Sequence, residues 1–127
     1  MKRDTFRHGF PESDWQAAKE EARAAMIKRA RTRRTIAYSD LVAEIQSVKL
    51  DPHSAHLSHL LGLIAEEESE NGRGMLTVVV VHKSGDQKPG PGFFEMARKL
   101  GRTVLDPDEF WINELKRVHE VWAAGKP

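Results

Sequence analysis

Three histidines at a fixed interval, His53, His56 and His59, are the first residues of this 127-residue chain whose types and spacing suggest chemistry. On a helix His56 and His59 share a face, so a bound metal is one reading. The chain has no cysteine, and no carboxylate stands at ligand spacing. No metal is expected, and the three read as solvent-facing helix residues or as groups facing a nucleic-acid backbone. A second candidate is the cationic run Lys28, Arg29, Arg31, Arg33 and Arg34. Cations suit the negative end of a helix dipole, and the same run suits a phosphate-contacting patch. A third is His82-Lys83 with the nearby loop Lys88-Pro89-Gly90-Pro91-Gly92. Its amides could hold phosphate at a helix start. It lacks the glycine spacing of a P-loop and the Lys-Ser/Thr that would follow, so a structural turn is the expectation. His82 has no nucleophile in a recognisable setting, and no catalytic pair is assigned. Tyr38, the single tyrosine, reads as core or as a hydroxyl reaching a phosphate.

Composition bounds what these residues can serve. The length fits one domain with a modest core. Apolar content of 39% and charged content of 31% fit a folded globular chain. The absence of cysteine excludes disulfides, thiolate metal sites and a cysteine nucleophile, and it suits a cytoplasmic setting. The first ten residues carry no apolar signal region. The longest apolar run, 75–81, is too short to span a bilayer. Net charge is +1 but uneven. Residues 1–34 hold ten Lys and Arg against five Asp and Glu, a charge of +5. Residues 35–127 hold ten against fourteen, a charge of −4. That asymmetry suits a polyanion partner, or simply solvated helix faces.

The elements that must position these groups follow from periodicity. Residues 1–12 read as a flexible arm that Phe6 and Phe10 pin to the body. A helix over 13–34 has a capping box at Ser13 and Gln16 and a narrow apolar face of Trp15, Ala18, Ala22, Ala25, Met26 and Ile27. A β-prone segment at 35–38 leads to a helix capped by Ser39, with Leu41, Val42 and Ile45 inward. Ser54 caps a longer helix over 54–69 with a stripe of Leu57, Leu60, Leu61, Ile64 and Ala65. Gly62 in its middle costs about 1 kcal/mol relative to alanine and suggests a close backbone approach. The acids Glu66 to Glu68 oppose the dipole and are expected to be solvated or paired with Arg73. Met75 to Val81 reads as a strand buried on both faces, and Ser84 to Asp86 as a turn. A short helix follows Gly92 and stops at Gly101. Asp106-Pro107 starts a last helix over 106–124 that carries Trp111 and Trp122.

Strand, two helices, buried strand and glycine loop in this order are those of a winged helix. Over 35–101 the chain resembles the winged-helix domain of the O6-alkylguanine DNA alkyltransferases and the alkyltransferase-like proteins. Ala37-Tyr38-Ser39-Asp40-Leu41-Val42-Ala43 resembles that family's T/S-Y-x-x-[LI]-A element. His59-Leu60-Leu61-Gly62 falls at its arginine-finger motif, Val80-Val81-His82-Lys83 at its P-C-H-R, and Gly90 to Phe94 at its glycine loop. Valine replaces the alkyl-accepting cysteine, so alkyl transfer to a thiol is excluded, and His59 stands where the family has arginine. The resemblance implies the fold and a DNA-facing surface at Tyr38 and helix 54–69. The stretch GMLTVVVVHK with PGPGF is also similar to small bacterial and phage proteins, which adds no chemistry.

The sequence therefore predicts one domain over 1–127, α+β and mostly helical, with a winged-helix-like core, a small β-sheet from 35–38 and 75–83, and added N- and C-terminal helices. It predicts a non-enzymatic DNA-binding protein without cofactor. Arg31, Arg33, Arg34, Lys83 and Lys88 contact phosphates, and Tyr38, Ser54, His56 and His59 lie at the groove of duplex DNA. The alternative is an interaction module that dimerises through its tryptophan helices. A small enzyme with a pocket between His82 and the PGPG loop ranks third.

Overall fold

Alanine spacing decides the centre of the molecule. In the computed structural model, which describes residues 6, 7, 9–83 and 87–124, helix α1 spans Glu12–Arg31 and buries Trp15, Ala18, Ala22, Ala25, Met26 and Ala30. Side chains this small let neighbours approach closely. Three helices use that access: α2 (Tyr38–Glu44), α3 (Ala55–Glu70) and α5 (Pro107–Ala124) all pack on α1. The fold is α+β and mostly helical.

Ahead of α1, where a flexible arm is expected, two short strands form a small hairpin. Strand β1 (Phe6–Arg7) pairs antiparallel with β2 (Phe10–Pro11) across Gly9, which sits at φ +85°. Phe10 stacks on Trp15 at 6.0 Å between ring centroids, so it does pin this segment. The Phe6 side chain and residues 1–5 lie outside the described residues. The helix starts at Glu12, behind Pro11 and without a side-chain cap, so the capping box at Ser13 and Gln16 does not form. It stops at Arg31, short of the expected end at Arg34.

The valine run is buried throughout, as its composition predicts, but it is mostly not a strand. Leu76–Val79 form a 3-10 turn, and only Val80–Val81 are a strand, β4. Its partner β3 (Ile36–Ala37) runs parallel, with Ile36 opposite Val80 and Ala37 opposite Val81. The physical reason is supply of partners. Strand β3 is two residues long, because Tyr38 already begins α2. Buried backbone groups upstream of Val80 must bond locally. Val78 N–H donates to the Met75 carbonyl at 2.9 Å. The segment packs against α1, α3 and α5, and this enclosure overrides the β-preference of valine. Ser39 is not a cap either: Ala37 is the N-cap residue of α2, and no side chain caps it.

Other local readings hold. Ser54 caps α3, its hydroxyl accepting from Leu57 N–H at 3.2 Å and donating to the Asp51 carbonyl at 2.9 Å. The Asp106 carboxylate accepts from Asp108 and Glu109 N–H at the start of α5. Gly62 is a close approach: a Cβ there would stand 2.8 Å from Met96 Cε of α4 (Pro91–Lys99). The turn expected at 84–86 falls outside the described residues, although His82 N–H donates to the Lys88 carbonyl across it at 2.9 Å.

Two buried carboxylates tie the helices together. Glu68, fully buried on α3, accepts from Arg23 of α1 and from Arg73 Nε at 2.7 Å. Glu114, also buried, accepts from Arg102 Nη2 at 2.7 Å and from Met75 N–H at 2.8 Å. Burial alone would push the Glu114 carboxyl up. The Arg102 and Met75 hydrogen bonds, with nearby Arg117, hold it below its ordinary value of 4.5.

Candidate phosphate-binding turn and histidine cleft

The structure divides the predicted site residues into two places. The first is the turn that ends α1. Thr32 N–H, Arg33 N–H and Arg34 N–H bond back to the carbonyls of Arg29, Ala30 and Arg29 at 3.1, 3.1 and 2.8 Å. The last two bonds form a Schellman motif, which places its central residue in the left-handed region. That residue is Arg33, at φ +56°. Arg31 through Thr35 are all exposed. Arg31, Arg33 and Arg34 have no side-chain hydrogen bond or ion pair among the described residues. Lys28, one turn before Arg31 on α1, is exposed in the same way. The segment is held from outside by α5: His119 Nε2 donates to the Arg34 carbonyl at 3.0 Å.

The other predicted phosphate contacts are not beside it. Lys83 pairs with Asp40 at 3.7 Å and Lys88 with Asp108 at 2.9 Å, so local acids partly neutralise both. The Ser54 hydroxyl is engaged as a helix cap. The His56 ring packs edge-on against Phe10 at 5.8 Å, and His59 tilts over Trp15 at 6.2 Å. Both therefore sit by the start of α1, while the arginines sit at its end. A helix of this length separates them by roughly 25 Å. No group of three metal-ligating side chains lies together among the described residues.

The second place is a cleft of about 520 Å³ between α3 and α4. Tyr38 directly follows β3 and His82 directly follows β4, so both stand at the carboxyl ends of the parallel pair. Their rings are 5.2 Å apart. The PGPG loop closes this end: Gly90 N–H donates to Tyr38 Oη at 3.0 Å. Burial pushes the Tyr38 phenol up, against the opposing effect of that hydrogen bond. The phenol therefore keeps its proton at neutral pH and can donate it into the cleft. Sequence reasoning placed Tyr38 with the groove residues and joined His82 to the loop only in its third reading, as the two sides of a pocket. Their convergence depends on the β3–β4 register, which the chain does not display locally.

The tryptophan helices are partnered within the chain. Helices α1 and α5 pack on each other. Trp15 is buried, Trp111 Nε1 donates to the Val78 carbonyl at 3.4 Å, and the Arg73 guanidinium lies 5.4 Å from the Trp122 ring centroid. No helix among the described residues is long and apolar enough to cross a membrane. Compared with known proteins, the chain matches no family, no curated protein and no solved structure. The alkyltransferase resemblance accordingly stands on its short motifs alone.

Proposed function

We propose that this chain is a non-enzymatic DNA-binding protein that grips phosphates of duplex DNA with the turn Arg31–Arg34. One observation carries the reading: an arginine occupies the left-handed position that a Schellman turn reserves for glycine. A side chain there costs roughly 1 kcal/mol of backbone strain. An outlier of this kind points to a use for the side chain. Its neighbours support it, because Lys28, Arg31 and Arg34 add exposed charge that no acid is shown to cancel.

The groove contacts expected at His56 and His59 do not extend this patch, since the two sit by the far end of α1. Phosphate contacts alone give affinity that falls steeply with salt and discriminates weakly between sequences. Fluorescence anisotropy with a labelled duplex at two salt concentrations tests the reading. Binding that weakens sharply with salt, and that is lost in a triple Arg31, Arg33, Arg34→Ala variant, is expected. Absent binding, or binding that the triple variant retains in full, overturns it.

A further inference from the structure

We infer that the cleft between α3 and α4 binds a small organic carboxylate with a flat apolar body, at a site separate from the arginine turn. The volume of about 520 Å³ is that of a small-molecule site. Its polar lining is rich in imidazole nitrogens, which can donate to an anion's oxygens. His53, His59, His82 and Lys99 line it against a single acid, Glu95. Between these polar groups the walls are apolar, supplied by Leu61, Phe93 and Met96. At one end stand the Tyr38 hydroxyl, with its proton free to donate, and the His82 ring. Two adjacent donors match the two oxygens of a carboxylate.

The glycines of the PGPG loop supply the second argument. Neither needs to be glycine for its backbone: Gly90 has φ −73°, and Gly92 lies in the first turn of α4 outside the left-handed region. Neither is forced by a tight neighbour. A Cβ on Gly90 would stand 3.4 Å from His82 Nε2 and 3.5 Å from Tyr38 Oη, while one on Gly92 would meet nothing within 4 Å. At Gly92 alanine would suit the helix better by up to about 1 kcal/mol, whereas Gly90 is the N-cap residue of α4, where glycine is itself preferred to alanine. The missing side chains leave open the space beside the two donors at Gly90 and the cleft wall at Gly92. Gly62 differs, because Met96 accounts for it.

Titration of the 15N-labelled full chain with 2-naphthoate, and with neutral 2-naphthamide, tests this. Saturable shifts at the amides of His82, Gly90, Gly92 and Lys99 are expected with the carboxylate. The amide should bind about tenfold more weakly or worse. Gly92→Val, whose side chain enters open space, should weaken 2-naphthoate by about tenfold while the spectrum stays folded. The triple arginine variant should keep its 2-naphthoate affinity, which separates this site from the DNA reading. No saturable shift, equal affinity for the amide, or indifference to Gly92→Val overturns the proposal.

Discussion

Three helices of this protein end in the same backbone motif, and the third does something different with it. At the end of α3, Gly72 at φ +73° is followed by Arg73, whose N–H bonds to the Glu68 carbonyl at 3.1 Å. At the end of α4, Gly101 at φ +85° is followed by Arg102, whose N–H bonds to the Ala97 carbonyl at 2.9 Å. At the end of α1 the order is Arg33 and Arg34. The arginine after the glycine turns its guanidinium inward in the first two cases, onto buried Glu68 and buried Glu114. Among the described residues Arg34 meets no acid. Two of these turns serve the stability of the fold, with a relaxed backbone and an arginine neutralised by a buried glutamate. The α1 turn accepts strain and leaves its charge in water. That contrast separates a structural cation from one available to a ligand, although both follow the same hydrogen-bond pattern.

Removing the three motif arginines one at a time would sharpen the contrast most. Arg102→Ala leaves the Glu114 carboxylate buried without its guanidinium and should cost about 3 kcal/mol. Arg73→Ala should cost about 1 kcal/mol, because Arg23 still serves Glu68. Arg34→Ala should lie within about 0.5 kcal/mol of wild type. Urea denaturation midpoints give the order, and a large loss at Arg34 would break the comparison.

Acid should narrow the largest of these gaps. The Glu114 carboxyl is held below 4.5 in the folded chain, so its stabilising contribution is complete above that pH and is lost as pH falls through the lowered value. Without Arg102, burial dominates and the carboxyl rises instead, so the variant suffers most at neutral pH. The stability difference between wild type and Arg102→Ala should therefore shrink between pH 7 and pH 4. Paired urea titrations at the two pH values check it.

The smaller effects concern the strained turn. Arg33→Gly should stabilise the chain by up to about 1 kcal/mol while weakening DNA binding, and Gly101→Ala should destabilise it by a similar amount. A stabilised Arg33→Gly variant with unchanged DNA affinity would remove the functional account of the strain. The smallest shift is in salt dependence. Each arginine removed from 31–34 should lower the slope of log Kd against log salt by roughly one, read from anisotropy titrations.

Much of this frame is legible in the chain. Ser54 and Asp106 announce helix starts through hydroxyl and carboxylate caps, Ala18 and Ala22 announce a crowded helix, and Gly62 announces a close neighbour. These are local signals. What the chain conceals depends on partners distant in sequence. Met75 to Val79 carry the composition of a strand, yet with no long neighbour to pair with they curl. Arg31–Arg34 look like a dipole feature until the ion pairs of Lys83 and Lys88 set them apart, among the described residues, as the predicted phosphate contacts without an acid. Tyr38 and His82 meet only because Ala37 lies opposite Val81. Ser13 and Gln16 form a sound pattern at the wrong position, because Pro11 and the hairpin start α1 earlier.

The β3–β4 pair also bears on how the molecule is made. Two paired positions, Ile36 with Val80 and Ala37 with Val81, join the strands across the whole span that contains α2 and α3. A contact that closes so large a loop forms slowly, since its entropy must be lost before the pairing rewards it. Helices α1 and α3 can form first through their local turns, while the arginine–glutamate clamp between them closes a loop as long as that of the strands. Amides of Val80, Val81 and Gly90 should then gain protection after those of α1 in pulse-labelled hydrogen exchange during refolding. Simultaneous protection would show that the strands help to nucleate the fold. On this sequence of events, a newly synthesised chain acquires its charged turn before its cleft.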